Sequence, residues 1–241
     1  MKSNRYGVIV WLRIVEMFFA GKFVQVYKII AFDFDGTLVD SVDFCLSVFD
    51  LVFAKFMGKN APDREDVYQN FGMNEPGVIK YYMGSRNPEA EAEFYRLHRE
   101  LHAEMCPETF PDVTDFLKYL KSCGIRLTIL TGRSETTCKI SMDFLKLNEY
   151  FESFQTGSFE RNDKAAQLRQ LLAENDLKPE ELLYIGDAVS DAQASANAGV
   201  ECLSAAWAKS ARITELEKIN PGRVFTTVKA MREYISGKIS V

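Results

Sequence analysis

Three short apolar runs, far apart in the chain, stop at polar residues of the same kind. Val26 to Phe34, broken by Lys28 and Asp33, runs into "DFDGT". "IRLTIL", residues 125–130, runs into Thr131, Gly132 and Arg133. "ELLYIGD", residues 181–187, ends on Asp187, with Asp191 four residues on. Short, near-continuous apolar runs bounded by turn residues are strands buried on both faces. Segments of helical period lie between them, and strands alternating with helices build βαβ units around a parallel sheet. In such sheets ligands sit beyond the carboxyl ends of the strands. The expected fold is therefore α/β, with one rim carrying carboxylates and hydroxyls from three distant strands.

Asp33 and Asp35 are the most demanding part of that rim. Side chains alternate along a strand, so the two carboxylates are expected on one side, with Phe32 and Phe34 on the other. Like charges that close disfavour joint ionisation. A cation between them removes the conflict, and a hard ion such as Mg²⁺ takes carboxylate oxygens together with waters and phosphate. Turn chemistry is the plainer reading of Asp35-Gly36, but it does not account for Asp33.

From Val42 to Cys106 the pattern is helical, with no strand candidate. The longest segment is the charged stretch "PEAEAEFYRLHRELHAEM". This predicts an all-helical insert, residues 42–106, within a core formed by residues 23–41 and 107–241. Residues 1–22 form an apolar extension. Arg13, Glu16 and Lys22 interrupt it, so it falls short of the roughly 20 apolar residues that span a bilayer. It reads as a packing helix or as an upstream extension of a chain starting near Met17. The formal charge is -5 and the sequence pI about 5.3, without a Lys/Arg cluster, which argues against nucleic acid. The 5 cysteines are scattered and never form a C-x-x-C pair, as expected of free thiols in a reducing, cytoplasmic setting.

With these residues in place, the chain resembles haloacid dehalogenase (HAD) superfamily phosphatases with a helical cap inserted after the first motif, and is phosphoglycolate phosphatase-like. The matching motifs are "DFDGTLVDS", Thr131 in "LTGRS", Lys164 in "NDKAAQL", and "GDAVSDAQASANAG" with Asp187 and Asp191. The resemblance implies a Rossmann-like parallel sheet core and a Mg²⁺-dependent phosphatase. Asp33 would be the nucleophile that forms an aspartyl-phosphate, and Asp35 the general acid and base, its pKa poised near the working pH. Asp33, the Asp35 backbone carbonyl and Asp187 would hold Mg²⁺, with Asp191 completing that shell or orienting Lys164. Gly36, Thr131, Gly132, Arg133 and Lys164 would bind the phosphate. The bland counterparts are a turn at Thr131-Gly132, a solvated Lys164 and an N-cap at Asp187.

The implied substrate is a small phosphorylated metabolite, such as phosphoglycolate, a sugar phosphate or a nucleoside monophosphate, acted on by a monomer or homodimer. Cap residues Phe44, Phe49, Tyr68, Tyr81, Tyr82 and Arg86 are the specificity candidates. Competing readings are a β-phosphoglucomutase-type phosphomutase, weakened because Cys45 stands where those relatives carry a histidine, and a non-catalytic binding module. Ala208 also departs from the glycine that relatives place after the tryptophan. His98, His102 and Cys106, at i, i+4 and i+8 on the last cap helix, are expected to be a solvated or domain-facing row rather than a metal site.

Overall fold

The computed structural model describes residues 27–160 and 163–239. The expectation about the extension at residues 1–22 lies outside the described residues. The described chain forms a six-stranded parallel sheet of order β3-β2-β1-β4-β5-β6, with β1 Ile29–Phe32, β2 Arg126–Leu130, β3 Ser153–Gln155, β4 Leu182–Gly186, β5 Glu201–Ala205 and β6 Val224–Phe225. β6 carries no sequence signal of its own, because two residues are too few for a period.

β1 lies at the centre, in register with β2 on one side and β4 on the other. All four of its residues are buried. Its alternation feeds two apolar clusters. Ile30 and Phe32 belong to one, with Phe116, Leu117 and Leu120 of helix Val113–Ser122; Ile29 and Ala31 belong to the other, with Leu168 and Leu171 of helix Lys164–Glu174. A strand buried on both faces needs apolar side chains at every position, which is why it reads as a continuous run.

Between β1 and β2 the chain makes the helical cap: Val42–Met57, Arg64–Gln69, Glu75–Met83 and Pro88–Met105. The cap core is aromatic. Phe49 stacks on Phe53 at 5.7 Å between centroids and meets Phe94 at 4.5 Å. The short helices start where their sequences ask. Asp63, Asn74 and Asn87 each accept a backbone N–H from the third residue on, and Pro76 and Pro88 occupy first-turn positions.

The cap is clipped to the core. Asn74 N–H donates to Ser158 O at 2.9 Å, and Asn74 Nδ2 donates to Gly157 O at 3.2 Å. The buried Glu75 carboxylate accepts the Ser134 N–H at 2.8 Å and the Thr137 hydroxyl at 2.5 Å, at the start of core helix Glu135–Phe144. Among the described residues no helix is long and apolar enough to cross a membrane.

Gly157 stands where two loops nearly touch. It donates its N–H to Arg133 O at 2.7 Å, and a Cβ there would overlap the Gly132 carbonyl. Gly157→Ala must therefore push apart the loops that follow β2 and β3. Overpacking of this kind costs about 1–3 kcal/mol. Chemical denaturation of the folded variant checks it, and a stability equal to wild type would show that the loops have slack.

Candidate active site

The rim expected from the sequence exists, at the carboxyl ends of β1, β2 and β4. Asp33 follows β1 directly, and its N–H still donates to Ile185 O at 2.8 Å. Asp33, Asp187 and Asp191 each offer a carboxylate oxygen, and these oxygens lie within 4.8 Å of one another. The Lys164 ammonium donates to Asp33 Oδ2 at 2.9 Å, to Asp191 Oδ1 at 2.5 Å and to the Tyr184 hydroxyl at 3.0 Å. Lys164 is the first residue of its helix, aimed by the Asp163 cap, which accepts the Ala166 N–H at 2.9 Å. It is therefore not the solvated lysine that its position on a polar helix also allowed.

Two carboxylates share one ammonium here with a third beside them, and the electrostatics follow. Burial, seconded by Asp191, raises the Asp33 pKa to about 6 although Lys164 pulls it down. Burial and the Asp33 and Asp191 charges push Asp187 well above the carboxylate range. Burial alone would discharge Lys164, but Asp191 and Asp33 outweigh it and raise its pKa well above normal. Carboxyls that cannot all ionise together beside one ammonium fit a small divalent cation held by carboxylate oxygens. Two glycines make room for the cluster. A Cβ on Gly36, which sits at φ 73°, would overlap the Asp187 carboxylate, and one on Gly186 would overlap that of Asp191.

Asp187 is not a helix cap. Ala188 holds that position in helix Val189–Ala198, and Asp191 Oδ2 accepts the Ala188 N–H at 3.0 Å. Both Asp191 oxygens are thus engaged, one by Lys164 and one by the backbone. These contacts orient Lys164, and Asp191 also stays within the carboxylate group that could hold a metal ion.

Asp35 goes elsewhere, which differs from the expected shared side with Asp33. β1 ends at Phe32, and the chain then turns through Gly36, so strand alternation does not extend to Asp35. Its carboxylate takes two-pronged donation from Arg133, with Nη2 at 2.6 Å from Oδ1 and Nε at 2.9 Å from Oδ2, plus the Ser41 hydroxyl. Burial would raise its pKa, yet Arg133 and Ser41 hold it below the ordinary carboxylate value. The expected carboxyl poised near the working pH is thus replaced by one held ionised by a partner.

Arg133 was expected at the phosphate. Instead it is 3% exposed, lies over the Phe34 ring at 4.4 Å from its centroid and spends its donors on Asp35 and Ser141. The Thr131 hydroxyl accepts the Arg133 N–H at 3.2 Å, which shapes the turn without exhausting the oxygen. Gly132 stands beside it, on the wall of a cavity of about 60 Å³. Asp35, Arg133, Cys45, Phe49, Met73 and Glu75 also line that cavity, so it opens between the cap and the Asp35 side of the rim.

Of the cap candidates, Phe49 lines the cavity. Phe44 packs against His98 at 4.5 Å, Tyr68 against Phe71 at 5.5 Å, and the Tyr82 hydroxyl accepts from Asn70 at 2.9 Å. Tyr81 is 61% exposed, and Arg86 pairs with Glu91 at 2.7 Å. Sequence reasoning missed Tyr184, Ser141 and Glu75. Tyr184 had a signal: a phenol in an otherwise aliphatic buried strand needs a polar partner. Trp207, noted only for its neighbour, donates Nε1–H to Thr37 O at 3.0 Å and so ties β5 to the loop after β1.

His98, His102 and Cys106 are all buried, a domain-facing row. Burial and the nearby Arg133 charge press His102 down to about 4 and His98 well below the usual 6.5. A histidine neutral in the folded state and protonated in the unfolded one loses stability as pH falls. His102 alone should therefore cost about 3 kcal/mol between pH 6.5 and 4. Denaturation of wild type and His102→Gln across that range checks the sign. Equal slopes would show that His102 takes up its proton without unfolding the chain.

The chain is similar to known proteins over most of its length. Residues 30–205 match the family model described as haloacid dehalogenase-like hydrolase. The chain is 30% identical over 199 residues to phosphoglycolate phosphatase 1 of Pseudomonas aeruginosa, covering 78% of this chain and 71% of that one. It is 27% identical over 180 residues to pyrophosphatase PpaX of Bacillus cereus, covering 74% and 82%. Among solved structures, CbbY from Rhodobacter sphaeroides in complex with phosphate superposes with a TM-score of 0.67 at 20% identity, over 84% of this chain and 95% of that one.

Proposed function

The chain belongs to the haloacid dehalogenase-like hydrolase family, and from that premise we propose that it is a Mg²⁺-dependent phosphatase acting on a compact phosphomonoester. The observation that carries this reading is the buried Asp33 carboxylate. It stands at the sheet's carboxyl edge, hydrogen-bonded to Lys164 and grouped with Asp187 and Asp191.

Asp33 is the nucleophile. One of its oxygens attacks phosphorus, the bond to the alcohol oxygen breaks, and an aspartyl-phosphate forms. Asp35 gives a proton to the departing oxygen, then takes one from the water that hydrolyses the aspartyl-phosphate, so that alcohol and phosphate leave and Asp33 returns. The second half needs Asp35 ionised, the form that its pairing with Arg133 favours, and the first half needs it protonated, the state that uptake of the water's proton restores. Lys164 holds the attacking carboxylate and offsets charge on the phosphoryl oxygens, and Thr131 with the Gly132 N–H supplies further donors. Asp33, the Asp35 backbone carbonyl and Asp187 would hold Mg²⁺, which when bound neutralises charge on the transferring phosphoryl group.

The cavity argues for a small leaving group. About 60 Å³ accommodates on the order of four waters, a few heavy atoms rather than a nucleoside. The 5 unpaired cysteines favour the cytoplasm as the site of action.

Phosphate release from p-nitrophenyl phosphate should require Mg²⁺ and stop with chelator. Asp33→Asn should keep the fold and lose turnover, because an amide cannot form the acyl phosphate. Appreciable activity in a clean Asp33→Asn preparation would remove the proposed nucleophile. Compact esters of two to four carbons should exceed nucleoside monophosphates in kcat/KM by about tenfold or more, since a poorly fitting group costs on the order of 1–3 kcal/mol. Equal values would place the leaving group outside the cavity.

A further inference from the structure

The two buried histidines converge on one atom. His98 Nε2 lies 3.2 Å and His102 Nε2 2.9 Å from Ser141 Oγ, on the core helix Glu135–Phe144. The same oxygen lies 2.6 Å from Arg133 Nη1. A hydroxyl has one proton and two lone pairs, and a guanidinium only donates. Arg133 therefore takes one lone pair. The hydroxyl proton goes to one imidazole, and the other imidazole donates to the second lone pair. The two histidines are thus opposite tautomers, and Ser141 has no hydrogen-bonding capacity left.

Among the described residues neither histidine Nδ1 has a partner, so each imidazole leaves one buried polar atom unsatisfied. Packing alone does not ask for that. Apolar side chains of similar volume fill such a space without orphaned atoms. The arrangement instead has a directional result. With Nη1 on Ser141 and Nε and Nη2 on Asp35, all three nitrogens of Arg133 are fixed, with the guanidinium seated on the Phe34 ring. A guanidinium fixed at three points fixes the plane of the carboxylate it grips two-pronged.

We propose that Ser141 is a positioning residue for Asp35, acting through Arg133, with His98 and His102 holding the hydroxyl in place. The inference rests on the reading of Asp35 as the acid–base group. Without the Ser141 hydroxyl, Nη1 loses this hydrogen bond, and rotation of the guanidinium carries the Asp35 carboxylate with it. Misplacement of a reacting group by about 1 Å can cost on the order of 10²-fold in rate.

The test is a double-mutant cycle read in steady-state kinetics with a simple alkyl phosphate. Ser141→Ala should lower kcat by roughly 10- to 100-fold with KM changed less than about threefold. On an Asp35→Asn background the same change should cost less than about twofold, because the carboxylate it positions is gone. His102→Leu should reproduce that dependence, and His102→Gln, which keeps a polar atom near the Nε2 position, should retain most of the rate. If Ser141→Ala does not fold, the two His102 variants carry the cycle. Equal losses on both backgrounds would make Ser141 merely structural and overturn the inference, and so would an unchanged kcat in folded Ser141→Ala. Full activity of Asp35→Asn alone would instead sink the acid–base reading on which the inference stands, an outcome that the single variant identifies by itself.

Discussion

The carboxylate cluster at the rim depends on one half-buried ammonium. Lys164 bonds Asp33, which comes from the end of β1, and Asp191, which comes from the helix after β4. Removing the lysine would leave Asp33 and Asp191 without their shared cation, typically a loss of about 3–5 kcal/mol. The local architecture serves that contact. Asp163 starts the helix so that Lys164 is its first residue, Tyr184 adds a third partner from the middle of β4, and Gly186 lets Asp191 come close. One positive charge still does not balance Asp33, Asp187 and Asp191. The crowding of carboxyls beside a single ammonium makes this the part of the rim that fits a divalent cation.

The second ion pair divides labour between two aspartates that the sequence sets side by side. Asp33 and Asp35 are two residues apart, yet Asp33 has its pKa raised to about 6 while Asp35 is lowered. Asp33 is buried and Asp35 half-buried, and desolvation pushes both upward. The difference is in the partners. Asp33 shares its ammonium with Asp191, whereas Asp35 has a guanidinium and a hydroxyl largely to itself. Pairs of titratable groups whose surroundings drive them apart mark distinct chemical roles, and here the separation arises from one turn.

Most of the fold was legible because buried parallel strands and amphipathic helices write strong periods. The helix at Pro88–Met105 matches its sequence boundaries, and the strands ending at Leu130 and Gly186 lie where their apolar runs stop. β6 was not legible, since its two residues hold no pattern. At the rim, the gathering of Asp33, Asp187 and Asp191 followed from strand ends, and Lys164 came only with the family resemblance. The use of Arg133 followed from neither. A motif shows which residue types meet, whereas the partner a long side chain chooses depends on three-dimensional neighbours. Ser141, which decides where Arg133 Nη1 goes, sits in the middle of a helix where a serine carries no signal. His98 and His102 read as a face of the cap helix, and what that face touches lies 39 to 43 residues away.

The cap and the core therefore meet through two kinds of contact with different consequences. At Asn74 and Glu75 the cap lends side chains to core backbone groups, which fixes its seat and closes the cavity wall beside Arg133. At His98 and His102 it lends them to Ser141 and, through it, to the residue that grips Asp35. The first contact satisfies donors at a helix start, an ordinary need that many side chains meet. The second leaves the Nδ1 atoms of both rings buried without a protein partner, and each unsatisfied group carries a cost. A contact that costs stability and still ends on the proposed acid–base carboxylate is better explained by what it orients than by what it packs.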